Sequence, residues 1–374
     1  MNSGPLVSIG VPVYNDAPWL RNALDHIVNQ EYRNLEIIIA DDGSTDGSLE
    51  ICQEYALKDS RIRYYENQHN LGSIENHRFV FQLSSGDFFA WGSGHDYLHL
   101  SFVRNTLEVL LNNPSVVMCC TQSVFLDPNG NITRTTKGGL DTRGLPPVER
   151  FKTFFNFITT GGTANVFYAL YRIDMLAKID FRKTLGTDVI MLVELSLVGE
   201  MYQVDEILYY RLMNHDARED KLQRWIKTIL DPRGLSFAAI MPYYYMDLTY
   251  FNVIEESNLS YKEKEDLFNF VCDKMHTTEV VIQKEVMNFV NIIESELVVL
   301  EQYPLLKQYR AAQALGVIEK IKVLGFENNE VLKIQTGCLR ILRDDKTYLL
   351  RNINQTLIPV KNKRFFGKIF DIFR

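Results

Sequence analysis

The sequence predicts an α/β protein with a mostly parallel, doubly wound sheet in its first part and mainly helices in its second part. Short apolar, β-branched runs alternate with segments whose apolar residues recur at helical spacing. Polar clusters follow the ends of several of these runs. From about Lys221 onward, long stretches rich in Glu, Lys, Leu and Ile replace the strand-like runs. We therefore predict two domains, 1–220 and 221–374.

The first predicted element is a strand over Leu6–Val13, an apolar run rich in β-branched residues. Asp16 and Pro18 then favour a loop and the start of a helix. The residues that follow at helical spacing are Leu20, Ala23, Leu24, Ile27 and Val28. The chain thus opens with strand, loop and helix.

Three further strands are predicted over Leu35–Ala40, Arg63–Tyr65 and Asp87–Trp91, with a helix over Leu49–Tyr55 after the first of them. In doubly wound sheets, ligands bind at the carboxyl ends of the strands. The polar clusters at strand ends here are Tyr14–Asp16, Asp41–Asp42 and Ser93–Asp96. We therefore expect a ligand site where these clusters meet.

The composition excludes some classes of protein. Of the 374 residues, 46% are hydrophobic, which is enough to form a large core. The 40 Lys and Arg against 47 Asp and Glu give a net charge of −7, so nucleic acid is not an expected partner. The five cysteines form no CxxC pair, which favours reduced core thiols in a cytosolic protein.

The two ends of the chain indicate where the protein works. The first residues lack the basic and apolar regions of a signal peptide, and no apolar window is long enough for a membrane span, so we expect a cytoplasmic protein. The tail 359–374 combines basic residues with an aromatic stripe, which suits peripheral contact with the inner face of the cell membrane. The stripe comprises Phe365, Phe366, Ile369, Phe370 and Phe373. It would equally suit docking on the core or on a partner, and the helical half as a whole suits an acceptor cleft or a homo-oligomer interface.

A strand followed by a helix also opens the dinucleotide-binding fold of dehydrogenases. That fold needs GxGxxG after its first strand to hold the pyrophosphate. Here the segment is Gly10-Val11-Pro12-Val13-Tyr14-Asn15, which lacks the motif. The sequence therefore argues against a dehydrogenase.

The chain instead carries an ordered series of motifs over roughly residues 5 to 220. In order they are Pro12-Val13-Tyr14-Asn15, Asp41-Asp42-Gly43-Ser44-Thr45-Asp46, Asn70-Leu71-Gly72 with Asn76, Ser85-Gly86-Asp87, Thr187-Asp188, and Tyr210-Arg211 with His215. This series resembles glycosyltransferase family 2, whose members have the GT-A fold. The resemblance implies a GT-A domain that takes a sugar from a nucleotide-sugar donor, for which a UDP-sugar is our first expectation.

The nucleotide pocket is expected at the ends of the first two strands. A carboxylate there can accept hydrogen bonds from a base N–H or from ribose hydroxyls, and Gly43 permits a tight turn. The resemblance implies that the pocket is lined by Pro12, Tyr14, Asn15, Asp41, Asp42, Ser44, Asn70 and Asn76. The alternative is that Asp42-Gly43-Ser44 is only a turn and Asp46 only a helix cap.

A departing nucleoside diphosphate develops negative charge, which a divalent cation held by carboxylates usually neutralises. The family has a D-x-D motif after its fourth strand, whereas this chain has Ser93-Gly94-His95-Asp96. We expect Asp96, with His95, to bind Mn²⁺ or Mg²⁺. Alternatively, His95 contacts the phosphates and metal dependence is weak. Arg211 and His215 are expected near the same diphosphate, the alternative being surface positions.

The acceptor hydroxyl needs a general base, because its pKa lies far above neutral. The resemblance implies Asp188 for this role, before a helix over Val189–Leu197, with Glu194 as second choice. Asp188 also suits the N-cap of that helix. Asn165, in a glycine-containing loop, is expected on the acceptor side, or else in a simple turn.

Together these features predict transfer of a hexosyl unit to a glycan or lipid-linked glycan in surface polysaccharide biosynthesis, with inversion by single displacement. The pathway and the inversion are implied by the resemblance. The eroded D-x-D leaves an alternative, a non-catalytic sugar-nucleotide-binding or scaffold protein of a glycan-assembly complex. A nucleotidyltransferase is the weaker third interpretation, because no basic glycine-rich loop for a triphosphate is present.

Overall fold

The computed structural model describes residues 4–136, 139–160, 164–182, 184, 186–213, 242–275 and 329–343, together with individual helical positions between 286 and 318. The chain divides into two compact units, Met1–His276 and Thr277–Arg374. Within the second unit, a helix over Asn329–Arg343 carries Lys333, whose Nζ lies 3.0 Å from Oε1 of Glu294.

The first unit is built on one nine-stranded sheet. Its strands are β1 (Val7–Val13), β2 (Leu35–Asp41), β3 (Ile62–Glu66), β4 (Phe88–Trp91), β5 (Tyr97–Leu98), β6 (Val116–Leu126), β7 (Ile132–Thr135), β8 (Leu170–Arg172) and β9 (Glu200–Leu212). Their order across the sheet is β3-β2-β1-β4-β8-β6-β9-β5, and β7 pairs with β6.

Helices surround this sheet. Those described are α1 (Ala17–Val28), α2 (Ser48–Lys58), α3 (Ser73–Gln82), α4 (Phe102–Asn112), α5 (Pro147–Thr159), α6 (Ile173–Leu176), α7 (Thr187–Val198), α8 (Pro242–Glu256) and α9 (Tyr261–Met275). A 3₁₀ turn covers Ala164–Phe167. The predicted alternation of strands and helices is confirmed over the first four strands.

The first four strands in sheet order, β3, β2, β1 and β4, run parallel to one another. Val7, Ile9, Val11 and Val13 of β1 have no exposed surface, as expected of a central strand that is covered on both faces. The parallel register pairs Val13 with Asp41, so β1 and β2 end side by side. Their polar extensions therefore meet at one edge of the sheet.

The remainder of the sheet is mixed. β8 pairs antiparallel with β4 and β6, β9 runs parallel to β6, and β5 is antiparallel to β9. Between β6 and β8 the chain contains β7 and α5, so this antiparallel pair is not joined by a short turn. The α/β prediction is confirmed, with parallel pairing concentrated around β1.

Helices α8 and α9 pack within the first unit, although both follow residue 220 in the sequence. The Phe155 ring of α5 contacts Tyr250 and Phe270 at centroid distances of 5.1 and 5.7 Å. The Lys152 ammonium lies 2.7 Å from the Asp266 carboxylate. The predicted domain boundary at 220/221 and the tail 359–374 lie outside the described residues, so both stay predictions.

Across the portion that the structure describes, no helix is both long enough and apolar enough to span a bilayer.

Candidate active site

The loop after β1 is tied to the loop after β2 by reciprocal hydrogen bonds. Asn15 has a φ of 53°, a left-handed conformation that Asn tolerates better than most residues. Its Oδ1 accepts from the Thr45 amide at 2.9 Å, and its own amide donates to Ser44 Oγ at 2.9 Å. The Tyr14 side chain, 49% exposed, is thereby held at the sheet edge with its ring open to a ligand.

Asp42 is fully engaged by the loop that precedes α3. Its Oδ1 accepts from Asn67 Nδ2 and from the Leu71 amide, both at 2.9 Å. Its Oδ2 accepts from the Gly72 amide at 3.0 Å. Because the side chain is 2% exposed, Asp42 supports the loop beside the predicted nucleotide pocket through these hydrogen bonds.

Asp41 differs from its neighbour in having a free acceptor. Oδ2 accepts from the Ser44 amide at 3.0 Å, whereas Oδ1 has no hydrogen-bond partner among the described residues. The residue is only 1% exposed. Because a buried carboxylate oxygen without a partner is costly, Asp41 is the carboxylate of this pair with an oxygen left for a further hydrogen-bond donor.

Three other predicted pocket residues, Asn76, Asn70 and Pro12, make contacts with backbone groups. Asn76 is buried, and its Nδ2 donates to the Ala40 carbonyl at 3.0 Å. Asn70 is exposed, and its Oδ1 accepts from the Gly72 amide at 2.8 Å. Pro12 lies in β1, paired with Ala40 and beyond the last residue of β1 that pairs with β4. These residues set the shape of the sheet edge.

The segment after β4 is a compact polar turn. Ser93 Oγ accepts from the amides of His95 and Asp96, both at 3.3 Å. Asp96 is 4% exposed; its Oδ1 accepts from the Leu212 amide at 2.9 Å and its Oδ2 from the Tyr209 hydroxyl. Both carboxylate oxygens of Asp96 are therefore used to fasten the turn to β9.

His95 lies between two carboxylates. Its Nδ1 is 3.0 Å from Asp16 Oδ1, and its Nε2 is 4.0 Å from Asp96 Oδ1. Burial alone would lower the pKa of His95, but the hydrogen bond to Asp16 and the charges of Asp96 and Asp16 raise that pKa above its ordinary value. The ring is thus stabilised as a cation.

Asp16 was not among the predicted site residues, although it ends the polar cluster after β1. Its carboxylate packs closely on the turn after β4, because a Cβ on Gly94 would lie 2.3 Å from Asp16 Oδ2. Only glycine fits at position 94 without displacing Asp16. The Ser93-Gly94-His95-Asp96 segment is therefore built around an Asp16–His95 pair.

The structure does not test Asp96 and His95 as metal ligands, and that role stays a prediction. Each oxygen of Asp96 accepts one hydrogen bond from β9, and His95 pairs with Asp16. Over the described ranges, no group of three or more His, Cys, Asp or Glu side chains is arranged to hold a metal ion.

Asp188 lines a cavity of about 250 Å³. The other lining residues are Ser73, Ile74, His77, Phe167, Tyr168, Phe181, Thr187, Met191 and Arg211. Asp188 is the second residue of α7. Burial raises the pKa of Asp188, while backbone hydrogen bonds at the helix start and the charge of Arg211 oppose the rise. The carboxylate is thus more basic than a free aspartate and faces an open space.

Arg211 reaches this cavity from β9 and is aimed by Asn165. Its Nη1 donates to Asn165 Oδ1 at 2.6 Å, and Asn165 Nδ2 donates to Ser123 Oγ at 3.1 Å. Asn165 is 5% exposed, and both ends of its amide are engaged. In the structure Asn165 therefore acts through Arg211, and its predicted place on the acceptor side stays untested.

The structure places Glu194 away from the Asp188 cavity, and its role as second choice of base stays a prediction. It lines a separate cavity of about 450 Å³, and its Oε2 lies 3.4 Å from Nε of Arg182. Six residues along a helix turn by about 600°, so the two side chains differ by about 120° around α7. The other predicted residue of this region, His215, lies outside the described residues.

The sequence of this chain is similar to those of known glycosyltransferases. Residues 8–180 match the family model described as "Glycosyl transferase family 2". An uncharacterized glycosyltransferase of Haemophilus influenzae is 31% identical over 150 residues, which cover 40% of this chain and 60% of that protein. Glycosyltransferase GlyG of Streptococcus pneumoniae is 27% identical over 126 residues, covering 34% of this chain and 42% of that one. The matching segments thus span less than two thirds of these relatives' lengths.

Among solved structures, S. aureus TarS 1-349 in complex with UDP-GlcNAc superposes with a TM-score of 0.58. The superposition covers 90% of this chain and 91% of that one at 14% sequence identity. At this identity the likeness concerns the fold alone, and it agrees with the GT-A architecture expected from the motifs.

Proposed function

Because residues 8–180 match the glycosyltransferase family 2 model, we propose that this chain transfers a hexosyl unit from a nucleotide sugar to a hydroxyl group of an acceptor. The cavity shared by Asp188 and Arg211 carries this proposal. It offers a carboxylate of raised pKa to remove a proton and a guanidinium to meet the charge of a diphosphate.

We propose a UDP-sugar as the donor. Asp41 Oδ1, which lacks a partner among the described residues, would accept from the ring N–H of uracil. The exposed ring of Tyr14 would stack on the same base. TarS binds UDP-GlcNAc, so UDP-GlcNAc is the first donor to test.

The transfer step uses the chain's own residues. The Asp188 carboxylate takes the proton of the acceptor hydroxyl, whose oxygen attacks the anomeric carbon. The bond from that carbon to the diphosphate oxygen breaks, and the electron pair leaves with the nucleoside diphosphate. Arg211 and His95, whose pKa the neighbouring carboxylates raise, offset the negative charge that develops there. A single displacement of this kind inverts the anomeric centre.

A comparison among donors tests this proposal. Release of nucleoside diphosphate from UDP-, GDP- and dTDP-sugars is measured with candidate acceptors supplied. We expect turnover with UDP-sugars, and with dTDP-sugars more weakly, because thymine shares the ring N–H of uracil. Tight donor binding without turnover in the whole panel would instead favour the non-catalytic binding protein.

Asp41→Asn is expected to weaken UDP binding by roughly 10-fold to 100-fold, because the amide cannot replace a charged acceptor of the base N–H. The measurement is calorimetric titration with UDP. Asp59→Asn is a suitable control, because Asp59 pairs with Arg61 outside the pocket. Equal UDP affinity for the wild type and Asp41→Asn would contradict the proposed base contact.

The diphosphate is proposed to rest mainly on protein cations. We expect EDTA to lower turnover by less than about threefold, since Asp96 and His95 are engaged within the protein. The check is steady-state turnover after metal removal, with Mn²⁺ and Mg²⁺ added back. A loss of more than about tenfold that Mn²⁺ restores would overturn this expectation and return Asp96 and His95 to the role of metal ligands.

The acceptor is proposed to be a glycan or lipid-linked glycan in surface polysaccharide biosynthesis, on the strength of the family. The basic and aromatic tail 359–374 supports work at the inner face of the cell membrane, through peripheral contact. Both points extend beyond the residues that the structure describes.

A further inference from the structure

His77 lines the Asp188 cavity, and neither the motifs nor the proposed mechanism uses it. It lies on α3, and its backbone carbonyl accepts a hydrogen bond from Trp91 Nε1 at 3.1 Å. The His77 ring also contacts the Phe167 ring at a centroid distance of 5.9 Å. These contacts hold the imidazole in one place at the cavity wall.

The tautomer of His77 follows from its hydrogen bond. Nδ1 lies 2.7 Å from the carbonyl oxygen of Ser73, one turn earlier in α3. A carbonyl oxygen can only accept, so Nδ1 carries the proton. Burial, and repulsion from His95, lower the pKa of His77, so the ring stays neutral. Nε2 is therefore a lone-pair acceptor.

Nε2 makes no hydrogen bond with any residue that the structure describes. The cavity volume of about 250 Å³ lies below the roughly 300–1,000 Å³ of pockets for drug-sized ligands, so it suits one sugar ring. Apolar walls from Ile74, Phe181 and Met191 would cover one side of such a ring. The cavity thus combines an apolar wall with an imidazole acceptor.

We propose that the cavity holds the sugar of the donor and that His77 Nε2 accepts a hydrogen bond from one of its hydroxyl or amide N–H groups. His77 then determines which sugar is used, while Asp41 and Tyr14 determine the base. This inference rests on the proposed function, because it presumes a nucleotide-sugar donor. The proposed contact favours an uncharged sugar that carries a hydroxyl or amide N–H group at the position facing Nε2.

The test separates the sugar from the nucleotide. UDP-glucose, UDP-galactose, UDP-N-acetylglucosamine and free UDP are titrated against the wild type, His77→Phe and His77→Gln. Phe keeps the ring and removes the acceptor, whereas Gln keeps an acceptor oxygen. His77→Phe would leave the donor group of the sugar without its acceptor. We therefore expect this variant to weaken binding of the preferred UDP-sugar roughly 10-fold to 100-fold. UDP itself should bind within about twofold of the wild type, and His77→Gln should recover part of the loss.

The position of the contact follows from single-deoxy analogues of the preferred sugar. One deoxy analogue should bind the wild type weakly, and His77→Phe should bind that analogue and the parent sugar alike. Equal affinity of His77→Phe and wild type for every UDP-sugar, or equal weakening of UDP and UDP-sugars, would overturn the role of His77. Failure of the wild type to bind UDP or any of the UDP-sugars would instead overturn the proposed function. Ser73→Ala removes a hydroxyl from the same wall and keeps His77, and it is the second variant should His77→Phe not fold. In Ser73→Ala the same deoxy analogue should still bind more weakly than the parent sugar.

Discussion

Asp188→Asn is expected to lower kcat by roughly 10²-fold to 10⁴-fold, the range that a positioned general base contributes. Asn is nearly isosteric and can still accept a hydrogen bond from the backbone at the start of α7, so the fold and donor binding should be kept. The measurement is acceptor-dependent release of UDP, with donor affinity determined separately by titration. A purely structural role at the start of α7 would leave kcat within a few fold of the wild type.

The pH dependence of activity is a second test of Asp188 as the general base. The active form is the carboxylate, and burial raises its pKa. Activity should therefore fall as the pH drops through a value above that of a free aspartate, and this acid limb should be absent from the residual activity of Asp188→Asn. Glu194→Gln tests the competing candidate on the same helix. Were Glu194→Gln inactive and Asp188→Asn active, the assignment of the base would be reversed.

Arg211→Ala is expected to lower kcat/KM by roughly 10²-fold to 10³-fold, as for the loss of one fixed donor to developing charge. The guanidinium is held by Asn165 on one side and lines the cavity on the other, so its loss removes a preorganised cation. Arg211→Lys should recover only part of the activity, since an ammonium cannot bond Asn165 and two phosphate oxygens in the same planar geometry.

The matched control for Arg211 is Arg134→Ala. Arg134 is an exposed arginine on β7 whose guanidinium lies over the Phe125 ring. Its replacement should leave kcat/KM within about twofold, as is usual for surface substitutions. Similar kinetics for Arg211→Ala and wild type would show that the diphosphate does not contact this side of the cavity.

Local patterns were sufficient to predict the first part of the fold. The apolar runs at β1, β2 and β4 and the helical spacing of α1 are properties of neighbouring residues, so they can be read from the sequence. The parallel register then brings the ends of β1 and β2 together. The mixed pairing of β8, β6 and β9 depends on contacts between distant segments and has no such local signal.

The pairs that tune the site could not be predicted for the same reason. Asp16 and His95 are 79 residues apart in sequence, and Asn165 and Arg211 are 46 apart. Neither pair has a characteristic spacing. Strand alternation does predict that Asp41 and Asp42 point in different directions, but not which of them keeps a free oxygen. That distinction depends on the loop that fills the three acceptor positions of Asp42.

The bonds of Asp42 also have a geometric consequence. They fix Leu71 and Gly72, the two residues immediately before α3, to the end of β2. The strand end that carries Asp41 and the helix that carries His77 are therefore parts of one rigid template. The span between the proposed base contact and the proposed sugar contact is therefore set by the backbone, before any donor arrives. If both proposals hold, a change at His77 alters the choice of sugar while the base contact keeps its place, and the two preferences can evolve separately on one scaffold.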